Sequence, residues 1–133
     1  MVMIQRFRKS EHGQALVEMA LVLPLFFLLL FGVIEMGRVG YAYITVSNAA
    51  REGGRVATIG GTDLDINSSI KNAASSLDLA SLTITITPTQ DQRQSGQGVT
   101  VTVSYPVQLI IPLISNILPN PVVVSSNIIM RLE

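Results

Sequence analysis

The pattern of apolar positions predicts one long helix at the start of the chain. From Met19 to Ile34, sixteen consecutive residues carry no charge, and most of them are Leu, Phe, Val or Ile. A helix from Gln14 to Ile34 would be about 31 Å long, which matches the hydrocarbon thickness of a bilayer. A cleaved secretory signal is the alternative, but the run is longer than such signals need and no small-residue cleavage site follows at once. We therefore predict a retained transmembrane helix at residues 14–35.

Apolar residues at spacings of three and four continue beyond this segment and predict that the helix extends as a stem over residues 36–58. The positions that share this spacing are Val39, Tyr43, Val46, Ala50, Gly53 and Ala57. Gly60 and Gly61 follow, and glycine is the usual residue where a helix ends through a positive φ. Pro24 lies inside the helix and lacks an N–H donor, so we expect a kink there.

Small side chains form a close-packing stripe on the stem. The stripe consists of Ala42, Ala49, Gly53 and Ala57. Small residues at such spacing let another backbone approach closely. The partner is either the protein's own sheet or another subunit, and we favour the sheet, because its apolar face has to be buried.

The rest of the chain predicts a second helix and a small antiparallel sheet, which gives an α+β fold. Thr62 or Asp63 can cap a helix that ends near Leu79. Its expected apolar side consists of Leu64, Ile66, Ile70, Ala73 and Leu77. From Leu82 the apolar period changes to two, which predicts strands at 82–87, 99–105 and 122–132. The polar, glycine-rich residues 88–98 predict a hairpin with a long, mobile tip.

The segment from Pro106 to Pro121 is strongly apolar but interrupted by four prolines. Four prolines exclude a second membrane helix. A buried crossover loop with a short helical turn is the interpretation we favour. An exposed apolar segment that contacts another subunit is the alternative.

Composition and charge support a membrane protein and exclude several kinds of function. Hydrophobic residues make up 48% of the chain and charged residues 14%, against roughly 25% charged residues in soluble domains. Nine basic residues balance nine acidic ones, so no charge excess favours nucleic acid. Without Cys and with a single histidine, His12, the chain offers no thiolate metal site and no nucleophile with a nearby base. We therefore expect no enzyme, metal, cofactor or small-molecule substrate.

The charges that flank the apolar run predict its orientation. Arg6, Arg8 and Lys9 precede it, opposed by Glu11 alone. Basic flanks stay in the cytoplasm. We thus expect a cytoplasmic basic leader at residues 1–13 and an extracytoplasmic α+β domain at residues 36–133.

Glu18 lies inside the apolar helix start and is hard to explain by stability. A carboxylate near the hydrocarbon boundary costs a few kcal/mol, so it is a functional candidate with an unseen partner. If the chain were cut after Gly13, the new amino group of Gln14 would be a cation that could pair with Glu18 of a neighbouring subunit. A Glu18 that only reaches toward the lipid headgroups is the alternative.

The run Gly13-Gln14-Ala15-Leu16-Val17-Glu18 resembles the processing site of type IV prepilins. The wider sequence from Glu11 to about Ala57, including G-Q-A-L-V-E-M-A-L-V-L-P and A-Y-I-T-V-S-N-A-A-R-E-G-G-R, resembles the TadE-like proteins of tight-adherence (Tad) pilus systems. The resemblance implies a bacterial inner-membrane protein that is a minor pilin or pseudopilin.

The resemblance also implies roles for residues and for partners. Gly13 would be the last leader residue, Gln14 the mature N-terminus and Glu18 the assembly carboxylate. The implied partners are a prepilin peptidase, the membrane lipid and other Tad subunits, namely a major pilin and a paralogous pseudopilin. Met19 follows Glu18 where the short major subunits carry Tyr, which fits an accessory subunit. The alternative function is an uncleaved single-pass anchor whose outer domain binds a partner or an envelope polymer.

Overall fold

The structure, a computed structural model, describes residues 11–133, with side chains from residue 13 onward. The basic residues of the expected leader, Arg6, Arg8 and Lys9, and the side chain of His12 lie outside the described part. The elements are α1 (Glu11–Thr58), α2 (Asp63–Ala73), β1 (Thr83–Thr87), β2 (Gly98–Val107), α3 (Pro112–Ser115) and β3 (Val122–Arg131). The expected α+β fold with a long N-terminal helix is confirmed.

Helix α1 is continuous through Pro24 and ends at the predicted glycines. Gly60 adopts a φ of 79°. Its N–H donates to Ala57 O, and the N–H of Gly61 donates to Val56 O, both at 3.1 Å. This is the Schellman arrangement, in which a left-handed glycine lets the last carbonyls of a helix find donors.

Contacts divide the chain into two compact units, with the boundary after Ile34. In the first unit, the described side chains of residues 14–31 are exposed. The second unit, Glu35–Glu133, contains a hydrophobic core. Its buried members are Ala42, Val46, Ala49, Ala50, Ala57, Ile66, Ile70, Ala74, Val99, Val101, Val103, Val107, Val124 and Leu132. The core therefore combines the α1 stem, α2 and one face of the sheet.

The sheet is antiparallel, in the order β1-β2-β3. Ile84 of β1 pairs with Val103 of β2, and Val101 of β2 pairs with Ile128 of β3. Alternate residues of each strand point into the core, as the period of two predicted. The strand order, which the sequence left open, places β2 at the centre, with the buried residues Val99, Val101 and Val103.

Helix α2 is capped by Thr62, one of the two predicted caps. The Asp65 N–H donates to the Thr62 hydroxyl oxygen at 3.2 Å, and the Thr62 N–H donates to the Asp65 carboxylate at 3.0 Å. These two hydrogen bonds form a capping box. The hydroxyl of Thr62, followed by its N–H, holds the pKa of the Asp65 carboxyl below the ordinary value.

Two details predicted for α2 were wrong. The helix ends at Ala73 rather than near Leu79, because the Ser75 N–H donates back to Asn72 O in a tighter turn. Leu64 is 79% exposed and Ala73 is exposed, whereas Ile66, Ile70 and Ala74 are buried. Residues four apart share a helix face, so Ala74 follows Ile66 and Ile70 on the buried face. The apolar pattern placed Ala73 there, one position too early.

The connection between β1 and β2, predicted as a long mobile tip, is attached to the start of α2. The side chain of Arg93 is only 8% exposed there. Its Nε donates to Pro88 O at 3.2 Å and its Nη1 to Gly61 O at 3.3 Å, while Nη2 pairs with the Asp63 carboxylate. One guanidinium therefore joins this connection to the turn between α1 and α2.

The proline-rich segment differs from the interpretation we favoured. Strand β2 continues through Pro106 to Val107, and because β2 and β3 are antiparallel neighbours the connection is not a crossover. The predicted helical turn is present as α3. The segment is largely exposed, however, with Ile110 at 70% and Ile117 at 79%. We refer to residues 108–121 as the apolar lobe.

Candidate functional site

The predicted processing and assembly residues lie together in the first turns of α1. Gly13 is half-buried, and Gln14 and Glu18 are exposed. The Gln14 side-chain amide donates to Glu18 Oε1 at 3.2 Å, one helical turn away. Among the residues that the structure describes, this amide is the hydrogen-bond partner of the Glu18 carboxylate. A neutral amide does not balance its charge, so the carboxylate still offers a place for a cation.

The apolar run that follows presents its side chains outward. Leu21 is 73% exposed and Leu25 69%, and the other large apolar residues of the run are exposed as well. One helix of the described chain, α1, is long and apolar enough to cross a membrane. A helix that is apolar on all sides and not covered by protein fits a lipid environment. The chain therefore fits a single-pass membrane protein.

The close-packing stripe faces the protein's own core. Ala42, Ala49, Gly53 and Ala57 are all buried. A Cβ added at Gly53 would lie 2.5 Å from Cγ1 of Ile70, so α2 approaches α1 where the side chain is absent. The sheet instead approaches the next residue, Gly54. At Gly53 the neighbour is therefore α2 rather than the sheet, and packing of the stripe against another subunit remains untested.

A buried carboxylate that sequence analysis did not single out holds the apolar lobe. Glu35 is 3% exposed. Its Oε2 accepts from Arg38 Nη1 at 2.6 Å, and its Oε1 accepts from the backbone N–H of Ile110 at 2.5 Å. Arg38 Nη2 also donates to Gln108 O at 3.3 Å. We refer to Glu35 and Arg38 as the clamp.

The clamp satisfies a charge that would otherwise be costly to bury. A buried carboxylate is tolerated when it is paired and hydrogen-bonded. The spacing of three between Glu35 and Arg38 is a sequence signal for an ion pair on a helix. The contact with Ile110, 75 positions away, has no such signal, which is why sequence analysis missed the clamp.

No group of three or more His, Cys, Asp or Glu side chains in the described part of the chain is arranged to hold a metal ion. The acidic residues Asp63 and Asp65 serve the start of α2 through Arg93 and Thr62. The expectations of no enzyme and no cofactor remain predictions.

Comparison with known families identifies the N-terminal part of the chain. Residues 13–55 match the family of TadE-like proteins. The matched segment begins at Gly13 and includes Gln14, Glu18 and most of α1. The TadE-like family is a structural family associated with Tad pili, so the resemblance seen in the sequence is confirmed. Neither the curated proteins nor the solved structures contain a match to the chain.

The TadE-like match covers the membrane segment and most of the stem, while α2 and the sheet lie outside it. The family therefore accounts for the helix that carries the predicted site. The roles of Gly13, Gln14 and Glu18, and the kink at Pro24, remain predictions.

Proposed function

We propose that this protein is a minor pilin or pseudopilin of a Tad pilus, matured by a prepilin peptidase that cleaves between Gly13 and Gln14. The TadE-like match that begins at Gly13 carries the proposal. The N-terminal leader stays in the cytoplasm, and the domain from residue 36 lies outside the bacterial inner membrane. The basic flank supports this orientation.

Cleavage permits assembly because it creates a positively charged partner for the Glu18 carboxylate. The new ammonium group of Gln14 is a cation at neutral pH, because the pKa of an α-amino group is about 8. Paired with Glu18 of an adjacent subunit, it removes the penalty for a carboxylate at the membrane boundary and fixes the register of the two helices. The exposed position of Glu18 supports this role, since no fold contact of the described chain covers it.

Mass spectrometry of the chain from cells with and without a prepilin peptidase tests the cleavage. We expect a species that begins at Gln14 only when the peptidase is present. Intact Met1 chains in both strains would contradict the proposal and would favour the uncleaved anchor with a partner-binding or envelope-binding domain.

A second experiment tests the assembly role of Glu18 separately from cleavage. Glu18→Ala should be processed and inserted normally but should lose co-purification with the other pilus subunits. Glu52→Ala is the matched control, because Glu52 forms a surface ion pair with Arg55 and is far along the chain from Gly13 and Glu18. If Glu18→Ala co-purified with the pilus subunits as well as Glu52→Ala does, the proposed role of Glu18 would be wrong.

A further inference from the structure

The apolar lobe is an exposed surface that the proposed function does not use. Its fourteen residues, 108–121, include no charged residue. Four large aliphatic side chains project from it, with exposed fractions between 44% and 79%: Ile110, Leu113, Ile117 and Leu118. Clustered exposed apolar side chains of this kind mark a site of interaction with protein or membrane.

The lobe is held in a fixed place by hydrogen bonds at both ends. The clamp binds its first residues through Gln108 O and the N–H of Ile110. Asn120 Oδ1 accepts from the N–H of Leu109 at 3.0 Å, which joins the end of the lobe to its beginning. The apolar side chains are therefore presented by a closed loop whose position is set by Glu35.

Glu35 is the residue at which the uncharged run of α1 ends. It follows Ile34 directly in sequence and is the first charged residue after Glu18. When α1 spans a membrane, this position lies at the edge of the hydrocarbon core. The Ile110 N–H, near the beginning of the lobe, donates to the Glu35 carboxylate, so the lobe starts next to the residue that ends the uncharged run.

We propose that the apolar lobe inserts its aliphatic side chains into the boundary between headgroups and acyl chains of the membrane that α1 spans. The lobe has no charge that would oppose this transfer. Its irregular backbone, interrupted by Pro112, Pro119 and Pro121, keeps it out of the hydrocarbon centre, where unpaired carbonyls find no donors. Headgroups and interfacial water satisfy those carbonyls at the boundary.

The natural chain has no Trp, so a single introduced Trp reports on one position. Ile117→Trp places it on the lobe, and Leu64→Trp is the matched control, because both residues are 79% exposed. Leu64 lies on α2, which packs at Gly53, about 27 Å along α1 from Glu35. The full-length variants are reconstituted in phosphatidylcholine vesicles with and without bromine on the acyl chains.

Bromine should quench the emission of Ile117→Trp several-fold more than that of Leu64→Trp, and the Ile117→Trp emission should be blue-shifted. Equal quenching of the two variants, whether strong or weak, would overturn the proposal. A blue shift of Ile117→Trp without quenching would also overturn it and would indicate burial against a second copy of the chain. The vesicles contain no peptidase and no other pilus protein, so the result is independent of the proposed function.

Discussion

The close approach of α2 to α1 at Gly53 gives a quantitative prediction for Gly53→Ala. A Cβ at this position would lie 2.5 Å from Cγ1 and 2.6 Å from Cδ1 of Ile70, and 3.4 Å from Cγ2 of Ile66. Favourable contacts between carbon atoms occur at about 3.5–4.0 Å. Because Ile66 and Ile70 are fully buried, neither side chain can turn into solvent, so Ile70 has to shift against its packed neighbours or α2 has to move away from α1.

Two opposing effects set the magnitude. Overpacking a core typically costs about 1–3 kcal/mol, while Ala favours a helix over Gly by about 1 kcal/mol. Two contacts shorter by roughly 1 Å than the favourable separation place the cost in the upper part of that range. We expect Gly53→Ala to lower the free energy of unfolding by about 1–2 kcal/mol, a change of roughly 5–30-fold in the ratio of folded to unfolded protein.

The same helix provides matched controls. Gly40 is exposed, and a Cβ there would meet no atom within 4 Å, so Gly40→Ala should be stabilising by up to about 1 kcal/mol. Gly54→Ala should fall between the two. Its nearest neighbour is the Sδ of Met130 at 3.0 Å, and methionine side chains adapt readily.

Amide hydrogen exchange of the full-length protein in detergent micelles measures these differences locally. The amides of α2 should exchange faster in Gly53→Ala and slower, or unchanged, in Gly40→Ala. If α2 were as well protected in Gly53→Ala as in Gly40→Ala, the close approach of the two helices at Gly53 would be refuted.

Three further predictions concern the start of α2 and can be measured by the same exchange experiment. Thr62→Ala should destabilise α2 by about 1 kcal/mol through loss of the capping box. Thr89 precedes a short 3₁₀ turn, Gln90–Gln92, without a side-chain capping hydrogen bond, so Thr89→Ala should change stability by less than about 0.5 kcal/mol. Arg93→Ala should cost about 2 kcal/mol, because the half-buried carbonyls of Gly61 and Pro88 lose a charged donor. The exposed Arg51→Ala should cost less than about 0.5 kcal/mol, and equal costs would contradict this role of Arg93. Hydrogen bonds to Thr62 lower the pKa of Asp65. The stability that the ionised Asp65 carboxylate adds is therefore present above the unfolded pKa of about 3.9, and it is lost as pH falls through the lower folded value. The protection of α2 should therefore decrease on acidification in the natural chain, and less so in Asp65→Asn.

Local signals accounted for most of the elements. The uncharged run from Met19 to Ile34 and the spacing of three and four beyond it predicted α1, and Gly60 marked its end. Alternation with a period of two predicted the three strands. These features are readable from sequence because each depends on residues that are neighbours along one helix or strand.

The predictions that failed depend on contacts between distant segments. Whether the aliphatic residues near Ile110 are buried depends on which distant segments of the chain pack against them. The prolines in the sequence do not indicate those contacts. The exposed position of Leu64 likewise depends on the side from which α1 meets α2, which a pattern of apolar residues defines only to within about one position.

The sequence by itself determined that this protein has an apolar helix of membrane-spanning length, an α+β domain that follows it in the chain and a TadE-like segment near the N-terminus. Only the tertiary structure decided that Glu35 is buried and holds the apolar lobe, and that Arg93 joins the β1–β2 connection to α2. The periodicity of apolar residues indicates which side of a helix or strand is buried, and it depends only on residues close together in the sequence. Pairing a charge with a backbone group 75 residues away is a property of the folded chain, because it exists only after the hydrophobic core has brought the two segments together.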